Sequence, residues 1–335
     1  MPGGGLIALT KYGSENLLFN GNPSMTYFNK VFRQYTPFSL ESATLPFEGP
    51  DELFFDRPIQ IRCKIQRIAD LLSDAYFVFE LPEIYSKFVE RTARDYQYNF
   101  AWVNFIGATI INRATFLVGG QRIQEFDNTY IVAKALADMD QTKLEKWKRL
   151  VGETPELTNP GLGLYGGGSE VVGYPTVYPN AQAEIQANRP SIPRTTVRVP
   201  LPFWFSEDFS LALPLIALQY TEAEIQIELR SIQDLYTVID PSGSRVRPGT
   251  KLTSLNVNNP EFETDNSSPE FREFLVDIGF TPPPINLLAI RPRLEVTYVY
   301  ISKAEQKVFA TSQHSYLLTQ VTRYNHSGIF NRQQL

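Results

Sequence analysis

The sequence offers very little reactive chemistry. One cysteine, Cys63, stands in 335 residues, which excludes an intramolecular disulfide framework and fits a reducing compartment. Two histidines, His314 and His326, are too few for a three-histidine metal site. The strings HExxH, GxxxxGKS/T and GxSxG are absent, so zinc proteolysis, P-loop phosphate binding and the hydrolase elbow have no sequence support. Basic excess is missing too: 31 Lys and Arg against 36 Asp and Glu give a net charge of −5. Charge-driven nucleic-acid binding needs a basic face that displaces counterions from phosphate, so no direct contact with nucleic acid is expected. No apolar run approaches the roughly 20 residues of a membrane-spanning helix. The opening string MPGGGLIALTKYG lacks the basic region and the length of a secretory signal, and Pro2 breaks the N-myristoylation pattern. The expectation is a soluble product made in the cytosol, not an enzyme, with no metal and no cofactor.

What is abundant points to strands. Aromatics at 13%, with 24 Pro and 20 Gly, favour an all-β protein rich in turns, and the length is comfortable for two domains. Glu222 to Arg230 alternates strictly, with Ala223, Ile225, Ile227 and Leu229 on one side and Glu222, Glu224, Gln226, Glu228 and Arg230 on the other. Strand side chains point to opposite faces with period two, so this segment has one dry and one wet face. A second strand is expected from Val197 through Phe205, with Trp204 on the opposite parity to Phe203 and Phe205 and with Pro200 and Pro202 at an edge or bulge. Between the two lies the most apolar run in the chain, LALPLIAL from Leu211 to Leu218. Pro214 in its middle makes it a buried crossing segment rather than a helix. Ile59 to Ile65 also alternates, and the parity puts Cys63 among isoleucines as a buried structural thiol.

Elsewhere, Ala75 to Leu81 reads as a strand joined to the Ile59 segment by Arg67 to Asp74, and Glu83 to Asn99 as a surface excursion. Ala114 to Val118 and Arg122 to Phe126 form a hairpin, with Gly119 and Gly120 supplying positive φ angles. Tyr130 to Val151 is helical, two short helices, with Thr142 and Glu145 at capping-box spacing and Gly152 after the end. Lys143, Lys146, Lys148 and Arg149 make a solvated face, and Asp138 with Asp140 is a coincidental DxD because i and i+2 point apart on a helix. Thr154 to Arg194 is a long Gly-, Pro- and Tyr-rich loop. Ser231 to Pro292 is a second irregular region with a short amphipathic helix within Phe271 to Ile278, and alternation returns at Leu294 to Tyr300.

Several of these segments resemble the major capsid proteins of nucleocytoplasmic large DNA viruses, a double jelly-roll family. The resemblance begins with Gly4, Gly5, Tyr12, Gly13, Gly21, Asn22 and Pro23 in an N-terminal arm and continues through Tyr27, Phe28, Arg33, Tyr35, Thr36, Phe38, Glu41 and Ser42. It includes the Asp70-Leu71 step, placed in a family hairpin, and the Gly119-Gly120 turn. It is densest at Phe203, Trp204 and Phe205 followed by Leu211, Pro214, Leu215, Gln219 and Tyr220, and it returns far downstream at Phe309, His314 and Tyr316. Ser14, Glu15 and Asn16 depart modestly from the family's pattern. The resemblance implies an all-β jelly-roll β-sandwich of the double jelly-roll capsid type, with the first jelly roll complete, the second only begun, and short helices in one connection. The expected division is an arm over 1–26, a first jelly roll over 27–231 with its helical connection at 130–151 and long loop at 154–194, a linker or insertion over 232–292, and the start of a second jelly roll over 293–335. Either the sequence is a truncated portion of a longer protein or its second domain is partial.

The implied function is structural: a homotrimer that forms pseudo-hexameric capsomers tiling an icosahedral shell. Its partners would be neighbouring capsomers and minor capsid proteins, with the arm close to an internal membrane. The protein would reside in the virion capsid after assembly in a virus factory in the host cytoplasm. A minor or vertex capsid protein of the same fold is the near alternative. From another class, a carbohydrate-binding jelly-roll module would use exposed Tyr and Trp as stacking platforms.

Overall fold

The computed structural model describes residues 36–86, 88–92, 95–158, 190–239, 244–248, 270–276, 281–316, 318 and 320–321. Gly21, Asn22, Pro23, His326 and most of the long loop 154–194 lie outside them.

In chain order the strands are β1 (Ser39–Pro46), β2 (Glu52–Phe54), β3 (Ile59–Lys64), β4 (Leu71–Leu81), β5 (Phe88–Thr92), β6 (Asp95–Tyr98), β7 (Ala101–Trp102), β8 (Ile111–Val118), β9 (Gln121–Asp127), β10 (Thr195–Pro200), β11 (Leu213–Pro214), β12 (Ala223–Leu229), β13 (Tyr236–Ile239), β14 (Arg245–Val246), β15 (Leu287–Ala289) and β16 (Arg293–Tyr300). The helices are α1 (Ile106–Thr109), α2 (Asn128–Asp138), α3 (Gln141–Leu150), α4 (Pro155–Thr158) and α5 (Lys303–Thr311).

Alternation builds two antiparallel sheets. One runs β1, β16, β4, β10, with β11 also paired to β4; the other runs β3, β12, β8, β9. The chain changes sheet at almost every step, which is the strand order of an eight-stranded jelly roll. On β12 every second residue is buried, and on β3 Ile59, Ile61 and Cys63 are buried while Gln60, Arg62 and Lys64 are exposed. Opposite them, Phe77, Phe79, Leu294, Val296 and Tyr298 close one continuous core. The wet faces carry ion pairs such as Arg62 with Glu48 at 3.0 Å and Lys64 with Glu222 at 3.3 Å. Exposed pairs contribute about 0–1 kcal/mol each, so the core and not this ladder holds the sheets together.

Several expectations are corrected. The strand at 293–300 does not open a second domain: β16 sits between β1 and β4, with Ser39 opposite Tyr300 and Leu294 opposite Phe77. It is the eighth strand of the first sandwich, placed there because its alternate side chains fill the centre of that core. Nor do β3 and β4 form a hairpin, since they belong to different sheets and the chain crosses over between them. The strand expected to run to Phe205 ends at Pro200. Pro200 and Pro202 lack the N–H that a ladder needs, and a 3₁₀ turn takes over at Trp204–Ser206. Helix α3 is capped by Asp140, whose carboxylate accepts from the Lys143 N–H at 2.8 Å, and not by Thr142.

The described residues of the irregular region 231–292 are not a free linker. β13 pairs with β7, β15 pairs with β2, and the 3₁₀ segment Phe271–Leu275 inserts Phe271 and Phe274 into an aromatic cluster with Phe100, Trp102 and Tyr236. Helix α5, read at the sequence level only as part of a strand-led stretch, begins with a capping box between Ser302 and Glu305. The Gly119-Gly120 turn is as expected, with φ of 58° and 77°. Among the described residues no helix is long and apolar enough to cross a membrane.

Candidate functional site

The positions that carry the family resemblance fall into two groups in space. Phe203, Trp204 and Phe205 form a plug in the core. Phe203 stacks on Phe205 with ring centroids 5.5 Å apart, Trp204 meets Phe116 edge-on at 5.0 Å, and the buried Gln124 side chain accepts the Trp204 N–H at 3.1 Å. All three rings are buried, whatever their parity. The plug is structural, and no ring face is left for a ligand.

The second group gathers at one end of the sandwich. Leu213 and Pro214 pair with Leu72 and Leu71, Leu215 is buried, and Leu211 packs partly buried against the core. From the other side, Phe309 on α5 packs against Leu71, Ala212 and Val299. Its ring stacks on His314 at 5.4 Å, while the His314 Nε2 lies 2.7 Å from the Phe309 carbonyl oxygen. That is a hydrogen-bonded structural histidine. Tyr316 Oη donates to the Ala212 carbonyl at 3.2 Å, and burial raises the Tyr316 pKa. Two segments some hundred residues apart therefore meet across a few side chains.

Asp70 ties this junction together, a role the sequence showed only as the Asp70-Leu71 step. Its carboxylate accepts from the Ile301 N–H at 2.9 Å and from Gln306 Nε2 at 3.1 Å, and its backbone carbonyl accepts from the Ile216 N–H at 3.1 Å. Beside it, the Arg67 guanidinium donates to the Gln219 carbonyl. The Gly119 N–H donates to the Glu222 carbonyl at 2.8 Å, which brings the glycine turn to the same end. A Cβ on Gly119 would stand 2.7 Å from Thr221 Cγ2, so that position needs glycine for room as well as for its φ.

This end is a packed, hydrogen-bonded junction. Tyr220 projects from it at 99% exposure and Ile68 is also exposed. Phe209, 65% exposed, and Phe38, 59% exposed, add large apolar side chains at a turn and just before β1. Among the described residues no group of three His, Cys, Asp or Glu is placed to hold a metal ion. Cys63 is buried, and burial first, then the Glu48 carboxylate, pushes its thiol up to about 12, so it is no nucleophile at neutral pH.

Comparison with known proteins accounts for this arrangement. The chain is 27% identical over 322 residues to the major capsid protein of Phaeocystis pouchetii virus, a match covering 95% of this chain and 52% of that protein. It is 25% identical over 322 residues to capsid protein 1 of Acanthamoeba polyphaga mimivirus, covering 95% of this chain and 43% of that one. The chain thus spans about half the length of the curated relatives it matches. Among solved structures, PBCV-1 VP54 fitted into a reconstruction of the virophage Sputnik superposes with a TM-score of 0.50 at 20% identity, covering 88% of this chain and 50% of that one. That likeness shows a shared fold. The family described as major capsid protein N-terminus matches residues 26–263, well over half of the sequence, and the chain belongs to it.

Proposed function

We propose that this chain is the N-terminal part of a viral shell subunit of the major capsid type, acting by assembly and not by catalysis. The observation that carries the reading is the family match over 26–263, which takes in seven of the eight strands of the jelly roll. In this reading two jelly rolls in one polypeptide trimerise into a pseudo-hexameric capsomer that tiles an icosahedral shell. The capsomer contacts its neighbours and minor capsid proteins, and the product resides in the virion after assembly in the host cytoplasm. A sandwich suits this work because its core is internal while its loops and edges stay available for subunit contacts. Phe38, Phe209 and Tyr220 are exposed on such loops and edges, and large rings of this kind bury area at low entropic cost in an interface. Of the Tyr and Trp faces that the carbohydrate-binding alternative calls for, Tyr220 is exposed, whereas Trp102, Trp147 and Trp204 are all buried.

Size-exclusion chromatography with light scattering, on protein extended through a complete second jelly roll, tests the reading. A trimer mass is expected. A monomer that persists at high concentration would overturn it.

A further inference from the structure

A half-open cleft of about 350 Å³ lies between α2, the outer side of β4 and the segment after β10. Its floor is apolar, made by Ile131, Trp147 and Pro202. Three polar groups line it, one of them buried without a partner. Asp74 is half-buried, and burial alone raises its pKa, with neither a hydrogen bond nor a positive charge to offset the desolvation. Tyr76, next along the same face of β4, is also raised, first by burial and then by Asp74. Ser206 Oγ is buried with no hydrogen-bond partner. A buried hydroxyl without a partner costs free energy, and so does a carboxylate that meets only desolvation, so the two in one cleft need an explanation.

The charge balance says what would satisfy them. Lys134 also lines the cleft, but its ammonium is held by Glu207. Asp74 and Asp138 remain as uncompensated negative charge around an apolar floor. A group that fits both features has a positive head and a hydrocarbon stem.

We propose that this cleft receives a cationic side chain, the ammonium of a lysine or the guanidinium of an arginine, carried by a neighbouring protein chain of the shell. The stem lies on Ile131, Trp147 and Pro202 and the charge meets Asp74, with Ser206 Oγ free to accept a hydrogen bond. The donor's identity rests on the shell-subunit reading; the cleft's preference for a cation does not.

Calorimetric titration of the 335-residue chain with N-acetyl-arginine amide, N-acetyl-lysine amide and the neutral isostere N-acetyl-citrulline amide tests this. Arginine or lysine is expected to bind with a millimolar Kd, at least about tenfold tighter than citrulline, and Asp74→Asn to weaken that binding about tenfold. Ser206→Ala, a smaller change, is expected to weaken it as well with the melting temperature unchanged. Equal affinity for citrulline, no binding by either cation, or wild-type affinity in a folded Asp74→Asn variant would each overturn the proposal. Cadaverine binding more tightly than both capped residues would overturn the assigned source in favour of a free amine. Light scattering on the same samples reads self-association separately, so failure of the cleft and failure of the shell-subunit reading give different results.

Discussion

Two buried protonated side chains tie the stability of the sandwich to pH. Burial pushes the Cys63 thiol and the Tyr298 phenol each up to about 12. In the unfolded chain they titrate near ~8.5 and ~10. Both folded values are therefore raised, so the stability they contribute is complete below the unfolded pKa and drains away as pH climbs toward the folded one. The protein is expected to lose urea stability progressively between about pH 9 and about pH 12. Tyr298 also donates to the Gln66 carbonyl at 2.7 Å. Tyr298→Phe should then cost about 1 kcal/mol at neutral pH and flatten the alkaline limb above about pH 10. Urea midpoints near pH 7 and near pH 11 measure this, and a variant that parallels the parent across that range would refute it. The burial of Cys63 was legible from parity alone, since one strand with a wet side fixes what faces inward. The company of Tyr298 was not, because it belongs to the opposite sheet.

Single elements were legible where their own sequence decides them. The strict alternation of β12 and the paired glycines after β8 specify a strand and a turn without outside help. The crossing from β3 to β4 was not, because the six residues 65–70 would serve equally for a hairpin and nothing local names the partner sheet. Helix α5 had a readable start, Ser302 with Glu305 three residues on, yet what holds it in place is Asp70, more than 200 residues earlier. Replacing Asp70 with Ala strands the Ile301 N–H and frees Gln306, a loss of about 1.5–3 kcal/mol for hydrogen bonds to a charged group. The loss is expected to fall on one element. Hydrogen exchange should quicken across 303–311 while the amides of β12 keep their protection, because β12 shares no bond with Asp70. Equal loss in both segments would show that Asp70 supports the whole sandwich instead of anchoring one helix.

At the scale of the molecule, the sandwich closes only through a pairing between its two ends in sequence. Among the described residues β1 hydrogen-bonds to β16 alone, from Ser39 opposite Tyr300 to Pro46 opposite Arg293. This explains why a boundary at 293 looked reasonable from the sequence: an alternating strand after sixty irregular residues resembles a fresh start, and strand partners are chosen non-locally. The family resemblance supplied the fold class, but only the register shows where the first domain finishes. The consequence is testable by ending the chain at residue 292. β16 buries Leu294, Val296 and Val299, worth about 5–9 kcal/mol at most for three aliphatic side chains. A domain has only about 5–15 kcal/mol in total. Removing β16 also takes from β1 its partner among the described residues and bares one edge of β4, the strand that carries Phe77 and Phe79 into the core. The shortened chain is expected to show no cooperative melting transition and to aggregate, while the 335-residue chain melts cooperatively. If residues 293–300 instead belonged to a second domain, the shortened chain would keep the parent's transition.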